Sequence, residues 1–446
     1  MKQTAALAAL LLCAALTGCA REYTDISAAQ AAGAALGEHI FIDGVNVSGM
    51  APAEALNAVE TAHTEALRAM YYTVTAGEDS LDIPAGSLPI SYNTEEVILS
   101  ALSLKQHWPA QNEPRELYTA MYAESGALQE ALSREAAGLE YPATDASASY
   151  DPKADGSFSY TESAPGRRLD MADLAAKVSG MVAEGICGSV AALTSETQPE
   201  YTTDMARADN SLIAQFSTSF AGKTYGRENR VFNIEKAAQL LDGTTLSPGQ
   251  ELDMNAILGD RNEENGWRTA TGIRDGAYVQ EYGGGVCQVS STLYNTALMA
   301  DMEITERHHH SWPLGYIDIG RDATISTGGP NLRFINSSDA SVTISAATDR
   351  EAQTVTVCIY GRPLPDGMRI ELTSERTATL DEPGTETEID PSLPPGARET
   401  VREARRGKIA ETHKLYYNAE GELIKKELVS EDKYRSIKGL VRVSPS

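Results

Sequence analysis

Hydrophobic positions in the first two hundred residues alternate between a strand period and a helix period. Residues 39–43 alternate as a short strand, and Pro52 opens a segment in which small and aliphatic residues recur on one helical face. A second combination of strands and a helix follows: a hairpin over residues 147–160 and a helix that Asp170 caps. The pattern predicts an α/β N-terminal domain over residues 38–200, which a polar, proline-containing stretch closes.

The middle of the chain, residues 208–361, mixes both periods. Residues 233–241 predict a helix that Gly243 ends, and the segment after residues 283–285 repeats apolar side chains at helical spacing. Three later stretches alternate as strands: 332–335, 341–345 and 354–360. The pattern therefore predicts a mixed α+β module.

The tail divides into a polar part and an alternating part. Residues 373–396 are rich in Glu, Thr and Pro and predict a solvated linker. Residues 397–446 predict a small all-β module, with a hairpin turn at 418–421 and strands at 398–404, 408–417 and 422–429. The whole chain is thus expected to be an α+β multidomain protein.

The first nineteen residues have the pattern of an export signal. Lys2 precedes an apolar run over residues 5–16, which is too short to span a membrane, and the run ends at Cys19. The sequence before Cys19 resembles a bacterial lipobox, which implies cleavage there and lipidation of its thiol; the alternative is a plain secretory signal. We therefore expect residues 1–19 to be a lipoprotein signal peptide, residues 20–37 a tether, and the protein to be extracytoplasmic, anchored to the cell membrane through Cys19.

Charge and cysteine usage narrow the class of partner. The formal net charge is -26, and the cationic residues form no large block, which argues against nucleic acid and against electrostatic docking on anionic polymers. Three cysteines remain beyond the signal, so they cannot all pair internally. Cys358 lies in an alternating run and is expected to be a buried strand residue, whereas Cys187 has no further signal.

The candidate chemistry lies at Cys287, which follows three consecutive glycines at the predicted start of a helix. Unpaired amides and the helix dipole favour a thiolate there, which lowers the pKa of a thiol. Residues 308–310 are three histidines, and Asp322 follows them. This order suits a thiol nucleophile with an imidazole base and an orienting carboxylate.

Three hypotheses of different classes compete for Cys287. In the first, Cys287 is a nucleophile, His310 its base and Asp322 the orienting acid, with Gln288 or nearby backbone amides holding an oxyanion. In the second, Cys287, two histidines and Asp322 bind a metal ion; adjacent histidines rarely reach one ion, so no metal or other cofactor is expected. In the third, the thiol is buried and the glycines only form a tight corner.

Further polar and aromatic residues suggest binding roles with structural alternatives. Arg321 is expected to bind a substrate carboxylate or to pair with Asp322. Arg307 either contributes to binding or pairs with Glu306 or a buried carboxylate. Tyr316 is expected to line a sugar or peptide cleft or to pack in the core.

Many short motifs in one order give the central module a resemblance to the VanW family. The motifs include Asn229-Arg230, Gly259-Asp260-Arg261, Gly283-Gly284-Gly285-Val286-Cys287-Gln288, His310-Ser311 and Gly320-Arg321-Asp322-Ala323. The family is named after accessory genes of vancomycin resistance, and its reaction is unassigned. One departure is Asn331, where the family usually has an aspartate; if that carboxylate oriented the base, activity here would be weakened.

The flanking modules carry two further resemblances. Residues 44–50 and 166–170 resemble a peptidoglycan-binding domain that often precedes a VanW module, and residues 397–446 resemble a five-glycine β module proposed to bind N-acetylglucosamine. Together they imply a lipid-anchored envelope protein that binds or processes peptidoglycan or its precursors, by acyl transfer or amide hydrolysis through a Cys287 thioester. The alternative is a non-catalytic wall-binding scaffold associated with glycopeptide resistance or envelope maintenance.

Overall fold

A computed structural model describes residues 23–104, 113–153, 156–222, 227–274 and 277–445. The expected signal peptide, the lipidation site Cys19 and the turn at residues 154–155 lie outside the described residues. The chain divides into two compact units, the first comprising Met1–Asp145 and Ser163–Glu200 and the second Ala146–Glu162 and Tyr201–Ser446. Both contain helices and strands, which confirms a mixed α+β multidomain fold. Within the described ranges, no helix combines the length and apolar character needed to cross a membrane.

Nine α-helices lie in the described part of the chain: α1 Ile26–Ala31, α2 Pro52–Arg68, α3 Thr94–Leu104, α4 Ser125–Glu135, α5 Met171–Ala183, α6 Thr203–Ala208, α7 Arg227–Leu241, α8 Met254–Leu258 and α9 Val286–Met299.

The strands of the described ranges are β1 Ile40–Ile42, β2 Val45–Asn46, β3 Tyr71–Ala76, β4 Asp79–Pro84, β5 Ile90–Tyr92, β6 Arg115–Leu117, β7 Met121–Ala123, β8 Ser147–Asp151, β9 Ser157–Thr161, β10 Gly166–Leu169, β11 Gly188–Ala191, β12 Thr194–Thr197, β13 Ser211–Ser219, β14 Thr244–Leu246, β15 Glu251–Asp253, β16 Thr269–Arg274, β17 Ala277–Tyr282, β18 Glu303–Glu306, β19 Arg333–Ile335, β20 Val342–Asp349, β21 Thr354–Gly361, β22 Arg369–Thr379, β23 Thr385–Ile389, β24 Arg398–Arg402, β25 Lys408–Tyr417, β26 Leu423–Tyr434 and β27 Gly439–Val443.

The first unit has small sheets and two separate hydrophobic cores. Its three-stranded sheets have the orders β2-β1-β6 and β11-β3-β4. Pro52 occupies the first turn of α2, and Asp170 caps α5 by accepting from two amides, as the pattern predicts.

The expected tether over residues 20–37 is wrong for its described part. Residues 26–31 form α1, and Ile26, Ala29 and Leu36 are buried in one of the first unit's cores. The sequence does not distinguish this packed helix from a tether, because a stretch rich in Ala is compatible with both.

The predicted hairpin is formed by β8 and β9, but it groups with the second unit instead of with a domain over 38–200. The Tyr150 hydroxyl contacts Asp242 Oδ1 and Ser345 Oγ, each at 2.8 Å. Those partners lie 92 and 195 residues away, so no local pattern indicates them.

The core of the second unit lies against a four-stranded antiparallel sheet with the order β13-β21-β20-β14. Helix α9 packs on β13 and β21, and α7 packs on β20. Cys358 lies on β21, where it was expected to be buried in the core. It lies instead on the half-buried face of the strand, because Val355, Val357 and Ile359 occupy the buried face. Period-two alternation identifies the strand without deciding which set of side chains faces inward.

The expected linker over residues 373–396 is also wrong. Residues 369–379 form β22, which pairs antiparallel with β25, and residues 385–389 form β23, which pairs in parallel with β27. The C-terminal strands thus form two three-stranded sheets, with the orders β22-β25-β26 and β23-β27-β24. Threonine favours strands, and polar side chains are tolerated because most of these positions face solvent.

Candidate functional site

The three glycines form a corner that places Cys287 in the first turn of α9. Gly283 and Gly285 have φ angles of 77° and 112°, which side chains other than that of glycine rarely adopt. A Cβ atom on Gly284 would lie 2.6 Å from the carbonyl oxygen of Ala270 in β16. The corner therefore depends on glycine for both its backbone angles and its close packing.

The Cys287 thiol lies beside His310 and two groups of a neighbouring loop. Its Sγ atom is 3.4 Å from the carbonyl oxygen of Ile325 and 3.7 Å from Thr324 Oγ1. Burial raises the pKa of the thiol, but the interactions with His310, followed by the contacts with Ile325 and Thr324, together lower it below the ordinary value. The site therefore favours a thiolate.

His310 connects Cys287 to Asp322. Its Nδ1 atom and its backbone N–H both lie 2.6 Å from Asp322 Oδ2. Burial opposes the charge of the ring, but the hydrogen bonds to Asp322 and Cys287 outweigh it and raise the pKa of His310 to about 9. Burial likewise opposes the charge of Asp322, yet the bond to His310 leads the interactions that lower its pKa to about 2. The favoured state is a thiolate, an imidazolium and a carboxylate in contact.

The other two histidines do not reach the thiol. His308 Nε2 lies 3.1 Å from Glu306 Oε1, and His309 packs its ring against Tyr434, with centroids 4.8 Å apart. The arrangement that a metal site with two of these histidines requires is not formed. In the described ranges, no group of three or more His, Cys, Asp or Glu side chains has a geometry that could hold a metal ion.

Buried polar side chains of α9 fix the segment that carries Asp322. Ser290 donates to the carbonyl oxygen of Ala323 at 2.7 Å, and Ser291 accepts from its amide at 2.9 Å. Asn295 donates to the carbonyl oxygen of Arg321 at 2.8 Å. The apolar positions predict this helix from the sequence, but no local signal shows that its polar positions are buried as well.

Tyr434 of the C-terminal sheet also contacts Asp322. Its hydroxyl donates to Asp322 Oδ1 at 2.5 Å and accepts from the Gly320 amide at 2.9 Å. Burial and then the charge of Asp322 raise the pKa of Tyr434, so the phenol remains a proton donor. The two oxygens of the carboxylate thus bond to different parts of the second unit, which fixes its orientation. No sequence signal indicates this contact, because 112 residues separate its partners.

Arg307 and Arg321, for which the sequence leaves open substrate binding or pairing within the fold, both form contacts within the fold. Arg307 Nη1 lies 2.7 Å from both Oδ atoms of Asp432. The Nε atom of Arg307 donates to the carbonyl oxygen of Asp322. Arg321 donates to Asn295 Oδ1 at 2.7 Å and lies over the ring of Phe216. Neither guanidinium lines the cavity at Cys287. Arg307 therefore takes the predicted alternative of pairing with a buried carboxylate, and Arg321 pairs with Asp318 and not with the adjacent Asp322.

Gln288 and Tyr316 do line the cavity. The Gln288 side chain is 1% exposed; it donates to Thr218 Oγ1 at 3.0 Å and accepts from Arg230 Nη2 at 2.6 Å. The Tyr316 hydroxyl lies 3.5 Å from Ser291 Oγ, and burial raises the pKa of this phenol well above its ordinary value. Gln288 is thus held in place by neighbours, and Tyr316 presents a neutral hydroxyl next to the thiol.

Asn331, the departure from the family pattern, lies away from His310. Its Oδ1 accepts from the Asn255 and Leu332 amides, and its Nδ2 donates to Asp253 at 2.7 Å. The amide group fits this role, because a carboxylate at 331 would face that of Asp253. The carboxylate that contacts the imidazole is Asp322, so the departure does not affect this contact.

The cavity at Cys287 has a volume of about 1480 Å³ and is open to solvent. Its wall includes the glycine corner, part of the β16–β17 hairpin and the loop around Thr324. Two arginines outside the candidate residues named above, Arg230 and Arg261, also line it. Both occur in the motifs that carry the family resemblance, which is the signal that would have found them.

Comparisons with known proteins agree with the family resemblance of the central module. Residues 229–360 match the family model described as VanW like protein. The chain is 35% identical over 145 residues to the uncharacterized protein YoaR of Bacillus subtilis (strain 168), covering 31% of this chain and 48% of the relative. It is 29% identical over 130 residues to the vancomycin B-type resistance protein VanW of Enterococcus faecalis (strain ATCC 700802 / V583), covering 28% and 47%. The chain spans about half the length of these relatives.

Two solved structures are similar to part of the chain. One is the G5 domain of an IgA1 protease, which is 20% identical in sequence. The match covers 18% of this chain and 93% of that chain, with a TM-score of 0.13. The other is the G5 domain of HP0197, which is 17% identical in sequence. The match covers 17% of this chain and 95% of that chain, with a TM-score of 0.11. The VanW resemblance is therefore confirmed over residues 229–360, while the resemblances of the N-terminal region to a peptidoglycan-binding domain and of the tail to a five-glycine module stay predictions.

Proposed function

We propose that the chain is a cell-envelope protein whose VanW-like module performs acyl transfer or amide hydrolysis on peptidoglycan or its precursors, with Cys287 as nucleophile. The observation that carries this proposal is the position of His310, which lines the same open cavity as Cys287, lowers the pKa of its thiol and is held by Asp322 at 2.6 Å. A merely structural cysteine has no need of an oriented imidazole. A nucleophilic thiol requires one to hold and return a proton.

The reaction would begin from the ionised pair. The Cys287 thiolate attacks the carbonyl carbon of an amide, and the π electrons of that carbonyl move to its oxygen. His310, which already holds the proton of the thiol, gives it to the leaving nitrogen as the C–N bond breaks. Water or an acceptor amine then attacks the thioester and returns a proton to His310, and the bond to Sγ breaks.

The start of α9 supports this chemistry at the developing oxyanion. The first amides of a helix lack intrahelical acceptors, but those of Val286 and Gln288 donate to the carbonyl oxygens of Gly283 and Gly285. We assign the Cys287 amide between them as the backbone donor to the oxyanion. The neutral Tyr316 hydroxyl, on the same cavity wall, is positioned to assist.

Asp322 and Tyr434 orient the imidazole on the side of its Nδ1 atom. Because Asp322 accepts from His310 Nδ1, the Nε2 atom of the ring is left for Cys287. Tyr434 touches neither thiol nor imidazole, so it acts as a positioning residue through Asp322. In this proposal the C-terminal sheet is therefore part of the reacting module and not only a spacer or glycan binder.

The substrate class and the location rest on sequence and on relatives. The relative named as a vancomycin B-type resistance protein supports a role in the cell wall. The lipobox-like sequence before Cys19 supports a membrane anchor through that residue. Peptide amides of peptidoglycan are abundant outside the membrane and fit an amide-directed thiol.

The experiment incubates the full-length protein with peptidoglycan fragments and measures products and the intact protein by mass spectrometry. We expect an acyl adduct on Cys287 and cleaved or transferred peptide, both lost in Cys287→Ala. The matched control is Cys187→Ala, because that thiol is exposed and lies in the first unit. Retention of fragments without adduct or product would contradict the catalytic proposal and favour the non-catalytic scaffold.

A further inference from the structure

Two cationic side chains lie in the same cavity wall as the nucleophile. Arg230 projects from α7, and Arg261 follows α8 in the loop before β16. Both are close enough to Cys287 that a negative charge on the thiol stabilises their protonated forms. Any group bound between them would therefore lie next to the reacting atom.

The hydrogen-bond partners of both guanidinium groups are neutral. Arg230 Nη2 donates to Gln288 Oε1 at 2.6 Å. Arg261 donates to the carbonyl oxygen of Gly259 at 2.9 Å and to Asn255 Oδ1 at 2.7 Å. Across the described ranges, no carboxylate forms an ion pair with either arginine. Glu281, on the hairpin side of the cavity, is the acidic lining residue.

This pattern contrasts with two arginines elsewhere in the unit. Arg307 is paired with Asp432, and Arg321 is paired with Asp318. Arg230 and Arg261 are half-buried, and their partial desolvation lowers the pKa of both. A partly desolvated cation without an anion is unfavourable, and a bound anion would stabilise it.

The glycine corner makes room for these two side chains. A Cβ atom on Gly283 would lie 2.6 Å from Arg261 Cγ, and one on Gly285 would lie 2.9 Å from Arg230 Cγ. The corner that places Cys287 thus also admits the stems of both arginines to the cavity wall. The thiol and the two cations are parts of one built site.

We propose that Arg230 and Arg261 form a carboxylate subsite, so that the acyl donor is a peptide with a free carboxylate close to its scissile amide. This rests on the proposed function of Cys287. A guanidinium matches a carboxylate with two parallel hydrogen bonds, and nearby charge strengthens them in a partly dry cavity. The subsite would hold the substrate carboxylate while the thiolate attacks the neighbouring carbonyl carbon.

The test compares iodoacetate with iodoacetamide, two reagents that alkylate thiols with the same leaving group but differ in carrying a carboxylate. Rates at Cys287 are measured by peptide mass spectrometry on the full-length protein, relative to free glutathione. We expect the ratio of iodoacetate to iodoacetamide rates to exceed that of glutathione by about tenfold, the effect of one charge-assisted hydrogen bond. Arg230→Gln and Arg261→Gln should each abolish most of this preference.

The matched control is Arg350→Gln, which removes the same charge from a surface pair with Glu235 outside the cavity. Its ratio should equal that of the wild type. If the cavity variants slow both reagents equally, the arginines act only on the thiolate, and the subsite is refuted while the nucleophile stands. If Cys287 is inert to both reagents, the proposed function fails instead.

A second measurement does not need a reactive thiol. N-Acetylglycine should raise the melting temperature of the wild type more than its neutral amide does, and Arg230→Gln should remove the difference. Equal shifts from the two compounds would overturn the subsite, whatever the reactivity of Cys287.

Discussion

Replacing Tyr434 with phenylalanine tests whether the C-terminal sheet positions the proposed catalytic carboxylate. The change removes a hydroxyl that donates to Asp322 Oδ1 at 2.5 Å and accepts from the Gly320 amide at 2.9 Å. A hydrogen bond to a charged group contributes about 1.5–3 kcal/mol. Tyr434→Phe should therefore lower the free energy of unfolding by about that amount.

The same loss should move the titration of Asp322. One pKa unit corresponds to about 1.4 kcal/mol, so its pKa should rise by about one to two units from the wild-type value of about 2. Because the folded pKa lies below the ordinary 3.8, the stability that Asp322 contributes is complete above that pH and is lost as the pH falls through about 2. In the variant, the loss should occur at about pH 3–4.

The assay is the rate of Cys287 modification by 2,2′-dithiodipyridine from about one pH unit below the wild-type pKa of Asp322 up to about pH 9, with folding followed by circular dichroism. The acid limb of the rate should shift upward in Tyr434→Phe by the same one to two units, whereas the rate at neutral pH should change little, since Asp322 stays ionised. The control is Tyr416→Phe in the same sheet, whose hydroxyl bonds to Asp301 and Glu427. If both variants lose stability but neither moves the acid limb, Tyr434 has no positioning role.

Two further substitutions test the packing around the site by urea unfolding. Gly285→Ala puts a Cβ atom 2.9 Å from Arg230 Cγ at a φ of 112° and should cost about 2–4 kcal/mol, whereas Gly249→Ala, at a φ of 75° with open space, should cost about 1–2 kcal/mol; equal costs would contradict the close packing. Asp432→Asn leaves buried Arg307 without its bidentate partner and should cost about 3–5 kcal/mol. Glu388→Gln, in an exposed pair with Arg442, should cost less than about 1 kcal/mol, and a similar cost at both sites would show that Asp432 is not a buried anchor.

Local signals in the sequence were sufficient for the elements that begin and end within a few residues. The glycine corner and the apolar period after it predict the start of α9, and the capping role of Asp170 is read from its position. The sequence order of a thiol, an imidazole and a carboxylate also suggests three residues that the structure brings together. Choosing His310 among three histidines was a prediction that only geometry can test, since order does not fix distance.

The contacts that the sequence could not indicate join residues far apart in the chain. Tyr434 lies 112 residues after Asp322, and its strand was expected to end at residue 429. The strand over residues 369–379 was missed because its polar side chains face solvent and imitate a linker. For Arg307 and Arg321 the sequence leaves binding and internal pairing open, because it does not show which cation lies next to an internal anion.

The most direct test of the proposed nucleophile is the rate at which iodoacetamide alkylates Cys287 as a function of pH, in the wild type and in His310→Ala. The wild-type rate should titrate below the ordinary thiol pKa of 9.0, because the interactions of the thiol, led by those with His310, together outweigh burial. In His310→Ala only the weaker contacts with Ile325 and Thr324 oppose burial, so the rate at pH 7 should fall about a hundredfold, while His308→Ala should leave it unchanged. Equal titration curves near pH 9 in all three proteins would contradict the account.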